Sequence, residues 1–175
     1  LDKVDRVFKA LLFAALSGGY SYEQIEAMAA VDGDSPADGA RRAAAQRHRE
    51  WLANNERRLQ IRERWREFFA DFDVILMPVQ PRGAIPHDHS EPQWTRTVDI
   101  DGVERPYLDL FGWTGPAGVG SLPSTVVPAG TGDDGLPIGV QVVGPYLHDI
   151  TTIRAARLIS KLCGGAPRPA LALPR

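Results

Sequence analysis

The side chains that could do chemistry in this chain are few and scattered. Its histidines, His48, His87, His89 and His148, lie far apart but for one pair, and its lysines are Lys3, Lys9 and Lys161. A serine nucleophile needs a base within hydrogen-bond reach, and the sharp G-x-S-x-G turn that presents such a serine is absent: Gly120-Ser121-Leu122 has the wrong flanks. No G-x-x-x-x-G-K-[ST] loop is present to cradle phosphates, and no lysine sits in a serine and glycine cluster that could lower its pKa. His87-Asp88-His89 offers metal ligands at i, i+2, but on a proline-rich stretch with no third ligand nearby it reads as a solvated loop. Asp133-Asp134 sits among glycines, where turn formation is the simpler role. One cysteine, Cys163, excludes an intrachain disulfide or a thiolate zinc cage and suits a reducing compartment, so the cytoplasm is the expected location. No metal and no cofactor are expected.

Other residues could line a pocket. Leu108–Gly120, LDLFGWTGPAGVG, is apolar yet broken by Gly112, Gly115, Pro116, Gly118 and Gly120, so it cannot form one regular helix. Glycine lets backbone approach a ligand, and Phe111 and Trp113 offer flat apolar surface, with Thr114 beside them as a polar group. These three are the candidate substrate-binding residues. Filling core is the competing role for both rings.

The elements that would position this wall are legible around it. Ser124–Val127 is a β-branched run closed by Pro128, and Ile138–Val143 a longer one opened by Pro137, with a glycine-rich connection between. In the second run Ile138, Val140 and Val142 share a face that reads as core, while Gly139, Gln141 and Val143 share the other. The connection is long enough that the two strands either pair or admit a strand between them. Thr97–Ile100 and Val103–Arg105 flank Asp101-Gly102, the strongest hairpin signal present. Val74–Met77, ended by Pro78, reads as a buried strand.

Helices come first in the chain. Val4, Val7, Phe8, Leu11, Leu12 and Ala15 mark one amphipathic helix, and Ser21 caps a second over Tyr22–Ala30. Ala37–Phe69 is one long helix or two nearly collinear ones, crowded with arginine and glutamate. Its arginines could grip phosphates, but without aromatic or groove-reading partners they read as a solvated face, so no nucleic-acid partner is expected. A last helix over Ile153–Leu162 is capped by Asp149 or Thr151, and Ala166–Arg175 is an extended tail. The whole is a single unit: 1–70 helical, 71–163 a sheet-forming core with a final helix, and 164–175 the tail. The formal net charge of −2 gives no global pull toward nucleic acid or membrane, and no apolar run reaches the roughly 18 residues of a membrane span.

Leu122–Gly144, LPSTVVPAG followed by GLPIGVQVVG, resembles the C-terminal hallmark of the amidase signature family. Trp65–Pro78, WREFFADFDVILMP, is similar to that family's helix-to-strand passage. The resemblance implies an α/β fold: part of a mixed β-sheet core covered by helices, with only the C-terminal half present. It implies hydrolysis of a carboxylic amide to acid plus ammonia or amine by a Ser, cis-Ser, Lys triad, with a small-molecule amide as substrate. The triad belongs to an upstream glycine- and serine-rich region that nothing here matches, so no catalytic residue is carried over. With Leu1 in place of an initiator, the chain reads as part of something longer, inactive alone and packing against the missing N-terminal half, with a homodimer also open. The glutaminase subunit of an amidotransferase and a non-catalytic partner-binding module are the alternatives. In amidotransferase relatives an acidic residue near the first hallmark strand holds the substrate's amino group; the matching region, Leu110–Trp113, is apolar apart from nearby Asp109. An uncharged or aromatic amide is therefore expected rather than glutamine.

Overall fold

A computed structural model describes residues 2–90 and 95–165. The expected tail therefore lies outside the described residues, as do positions 91–94 of the proline-rich loop. Four helices lead: α1 (Asp2–Leu16), α2 (Tyr22–Ala29), α3 (Pro36–Ala44) and α4 (His48–Phe68). Ser21 caps α2 as expected, its hydroxyl accepting from Gln24 N while the Gln24 side chain accepts from Ser21 N. The long arginine-rich stretch is two helices. The break falls at residues 45–47, where the Gln46 side chain leaves the helical path to donate to the Ala10 carbonyl of α1, and Glu50 accepts from Arg47 N to start α4.

The strands are β1 (Ile75–Pro78), β2 (Thr97–Ile100), β3 (Val103–Pro106), β4 (Ser124–Thr131) and β5 (Pro137–Val143), with α5 (Gly115–Gly120) before β4 and α6 (Asp149–Leu162) last. They form an antiparallel sheet in the order β1-β5-β4 and a separate β2-β3 hairpin. The hairpin turns as its sequence demands: Asp101 (φ 54°) and Gly102 (φ 77°) both occupy the left-handed region of a two-residue primed turn.

Two expectations are corrected, on Pro128 and on the cap of the last helix, and the open choice between direct and indirect pairing of the hallmark strands is settled. Pro128 does not close β4, which runs on to Thr131, because β4 is an edge strand and its register slips between Pro128 and Gly130, where a missing N–H costs least. The hallmark strands pair directly, Val127 opposite Val140 and Thr125 opposite Val142. Neither Asp149 nor Thr151 caps the final helix; His148 is the flanking residue, and Thr152 Oγ1 instead bonds the Asp149 carbonyl at 2.8 Å.

The core has two sides because the sheet is covered on both. Val142, Val127 and Ala156 pack with Val140, Val74 and Ile159 beneath α6. Val143, Met77, Ala117 and Leu122 pack with Trp65, Phe69, Ile75 and Trp113 beneath α4 and α5. Val142 and Val143, on opposite faces, are both fully buried. Ile138, expected in the core with Val140 and Val142, is 42% exposed, since neither helical layer reaches that end of β5. No described helix is long and apolar enough to cross a membrane.

Candidate functional site

The glycine-rich segment between the hairpin and β4 is more ordered than its composition suggests. A 3-10 turn spans Tyr107–Phe111, and α5 begins four residues later with Pro116 in its first turn. Its glycines serve packing. A Cβ on Gly115 would stand 3.2 Å from the Phe8 ring and one on Gly118 3.0 Å, so their absence lets α5 lie close on α1. Gly120 does the same against Leu122 and Trp65.

Gln141 holds the segment to the sheet. It is 2% exposed, and its amide donates to the Trp113 carbonyl at 2.8 Å and to the Pro78 carbonyl at 2.7 Å, while its oxygen accepts from Ser124 Oγ at 3.1 Å. A buried amide needs such partners, and here all three lie within the chain.

Of the three candidate residues, one reaches a cleft. Trp113 is half-buried against the core beneath α5 and also lines a cleft of about 520 Å3 with Val4, Pro81, Ile100, Val103 and Pro116. Phe111 is 37% exposed and Thr114 half-buried, and neither lines that cleft. Thr114 Oγ1 donates to the Phe111 carbonyl at 3.0 Å, closing its own turn.

A charged cluster forms the cleft's other wall. Arg105 donates to Asp109 Oδ2 through Nε at 3.0 Å, with Nη2 2.9 Å from the same oxygen, and Lys9 bridges Asp5 at 2.9 Å and Asp109 at 3.5 Å. Asp5 Oδ1 is buried with no hydrogen-bond partner. The i, i+4 spacings Asp5–Lys9 and Arg105–Asp109 were the signal for this cluster, but only tertiary contact joins the two pairs. Chemically, the cleft is an aromatic and aliphatic surface beside Asp5 and Asp109, which pair with Lys9 and Arg105, and a third carboxylate, Asp101, at the hairpin turn.

The His87-Asp88-His89 motif folds back on itself. The Asp88 carboxylate accepts from Ser90 N at 2.8 Å, and that local bonding to Ser90 holds it below the ordinary carboxylate pKa. Among the described residues no group of three or more His, Cys, Asp or Glu side chains could hold a metal.

The family model described as Amidase matches residues 36–153. A glutamyl-tRNA(Gln) amidotransferase subunit from Halobacterium salinarum is 37% identical over 106 residues, covering 61% of this chain and 22% of that protein. Fatty acid amide hydrolase of Medicago truncatula is 34% identical over 111 residues, covering 63% of this chain and 18% of its own length. The chain thus spans about a fifth of the length of the curated relatives it matches. A solved structure, the inhibitor-bound vestigial protein complex that bears on the origins of an s-triazine catabolic enzyme, superposes with a TM-score of 0.65. The fit covers 93% of this chain and 35% of that one at 21% identity, which speaks to fold alone. With the family match extending over well more than half of its residues and its helix-covered sheet shared with a larger solved relative, this chain belongs to the amidase signature family.

Proposed function

We propose that this chain is the C-terminal part of an amidase that hydrolyses a carboxylic amide to an acid plus ammonia or an amine. The family match over residues 36–153 carries the reading. Catalysis rests with a Ser, cis-Ser, Lys triad outside the chain. There an unprotonated lysine accepts a proton through the bridging serine, the second serine attacks the carbonyl, backbone N–H groups hold the oxyanion, and water releases the acyl-enzyme.

This chain's share is one wall of the amide pocket, formed by Trp113 on the segment that Gln141 fastens to the sheet, with Phe111 and Thr114 flanking it outside the cleft and open to the rest of the enzyme. An uncharged or aromatic amide suits that wall. Trp113 supplies a flat surface, and Asp109, the acid nearest the segment, already meets Arg105 and Lys9. Glutaminase chemistry within an amidotransferase is the second reading, favoured by the likeness to the Halobacterium salinarum protein. The rest of the enzyme packs against the outer edges of β1 and β4 and the exposed Val126 and Ile138 beside them.

Two measurements on the chain test this. Ammonia release from aliphatic and aryl amides should be absent, and turnover that survives rigorous purification would place a triad within the chain. Benzamide titrated into labelled chain should shift amide resonances of residues 111–115, and glutamine should not; the reverse order favours the glutaminase reading.

A further inference from the structure

The arginines of α4 divide by what they touch. Arg58 donates to Asn55 and Ser121, Arg62 lies over the Tyr146 ring, and Arg66 pairs with Glu63. Arg57 and Arg64 point elsewhere. With Asn54 and Ile61 they form a stripe at i, i+3, i+7, i+10, facing a groove of about 470 Å3 whose other wall is Lys3, Arg6 and Val7 of α1. Four cations and two amide side chains, Asn54 and Gln60, line this groove, and no carboxylate among the described residues does. Within the described residues no ion pair involves Lys3, Arg6 or Arg64, and Arg57 donates only to the neutral Asn54 side chain, at 2.9 Å. A chain of net charge −2 has thus gathered four positive groups around one cleft.

We infer that this groove between α1 and α4 binds a ligand carrying two or more phosphate groups. Cations that converge on a cleft with low-dielectric walls focus a positive potential in it, and guanidinium groups match phosphate oxygens in a two-pronged geometry. Arg57 and Arg64 stand two helical turns apart, about 10 Å along the axis, and Lys3 and Arg6 face them across the groove, a spread of charge that suits a linked pair of phosphates better than one. The lining holds no aromatic side chain on which a base would stack, so the phosphates rather than a nucleobase are what it recognises. The inference is independent of the amide pocket, which lies on different faces of α1 and the hairpin.

Calorimetric titration of the chain at low salt, in a phosphate-free buffer, tests it with three probes: sodium triphosphate, inorganic phosphate and a single-stranded RNA 20-mer. Triphosphate should bind more tightly than phosphate. The variant Arg57→Gln/Arg64→Gln should weaken it about tenfold or more, the loss of charged hydrogen bonds predicting at least that. Lys3→Gln/Arg6→Gln should do the same from the other wall, and Arg49→Gln should leave it unchanged. All these side chains are exposed, so circular dichroism melts should match the parent. If RNA binds and triphosphate displaces it, the groove takes its phosphates from nucleic acid as well. RNA binding that triphosphate does not displace, absence of triphosphate binding, binding unchanged in both double variants, or phosphate binding as tight as triphosphate would each overturn the inference.

Discussion

Replacing Gln141 by leucine removes three side-chain hydrogen bonds at a residue that is 2% exposed. Each such bond contributes about 1 kcal/mol net, and a buried carbonyl left without its donor costs about 1–3 kcal/mol more. The Pro78 and Trp113 carbonyls both lose that donor, while leucine regains part of the loss through its own apolar burial. The expected cost is about 3–5 kcal/mol, a large share of the stability of an ordinary domain. Urea denaturation followed by tryptophan fluorescence measures it. Ser124→Ala, which removes only the hydroxyl donor, should cost about 1 kcal/mol in the same assay. Gln141→Glu separates shape from donation: the carboxylate can still accept from Ser124 but presents an oxygen to two carbonyl oxygens. Its pKa is therefore raised on folding, so its penalty is absent at low pH, where both states are protonated, and grows as pH rises above about 4.3. Hydrogen exchange should meanwhile quicken at residues 112–115, the segment the amide secures. A Gln141→Leu cost below about 1 kcal/mol, or a Gln141→Glu penalty flat from pH 4 to 7, would refute the idea that these bonds fasten the pocket wall.

Trp113→Ala should weaken benzamide binding and also destabilise the chain by about 3 kcal/mol, because its ring serves both cleft and core. Phe111→Ala, at an exposed position, should leave the melting temperature nearly unchanged, and any loss of amide binding then reports contact with substrate. Gly144→Ala should cost about 1–3 kcal/mol in urea, since its Cβ would fall 2.7 Å from Thr152 Cγ2 on a side chain locked by Thr125 and the Asp149 carbonyl. Ser121 sits in the left-handed region at φ 54° with its hydroxyl bonded to Arg58, so Ser121→Gly should be nearly neutral and Ser121→Val should cost about 2–3 kcal/mol by thermal melt. The Ser35 hydroxyl, first among its neighbours, holds the Asp38 carboxyl below its ordinary 3.8. Carbon-detected titration should therefore find that group's midpoint below 3.8 and rising in Ser35→Ala, with its support of α3 present above that pH and lost as pH falls through the midpoint.

Features decided by neighbours in sequence were readable from it. Asp101-Gly102 fixes its hairpin because two residues must both accept positive φ, and Ser21 announces α2 because its cap lies three residues away. Features decided at long range were not. Gln141 is legible only as an amide on the face shared with Gly139 and Val143, because its partners Trp113 and Pro78 lie 28 and 63 residues away. The segment 115–120 reads as irregular on glycine propensity, yet it is helical because Phe8, more than a hundred residues earlier, fills the space its missing side chains leave. Trp113 was legible as a pocket candidate on chemical grounds. Phe111 and Thr114 were indistinguishable from it until the turn at 111–114 aimed them differently.

The strand order β1-β5-β4 also sets a schedule for biosynthesis. The middle strand is the last to be made. Until Pro137–Val143 leaves the ribosome, β1 and β4 have no partner between them, and the apolar residues of both must wait, the first across some sixty positions of intervening chain. A nascent chain halted before Pro137 should therefore hold its leading helices and the β2-β3 hairpin but not the three-stranded sheet, and be a target for chaperones that bind exposed strands. Completing one seven-residue strand closes both pairings at once.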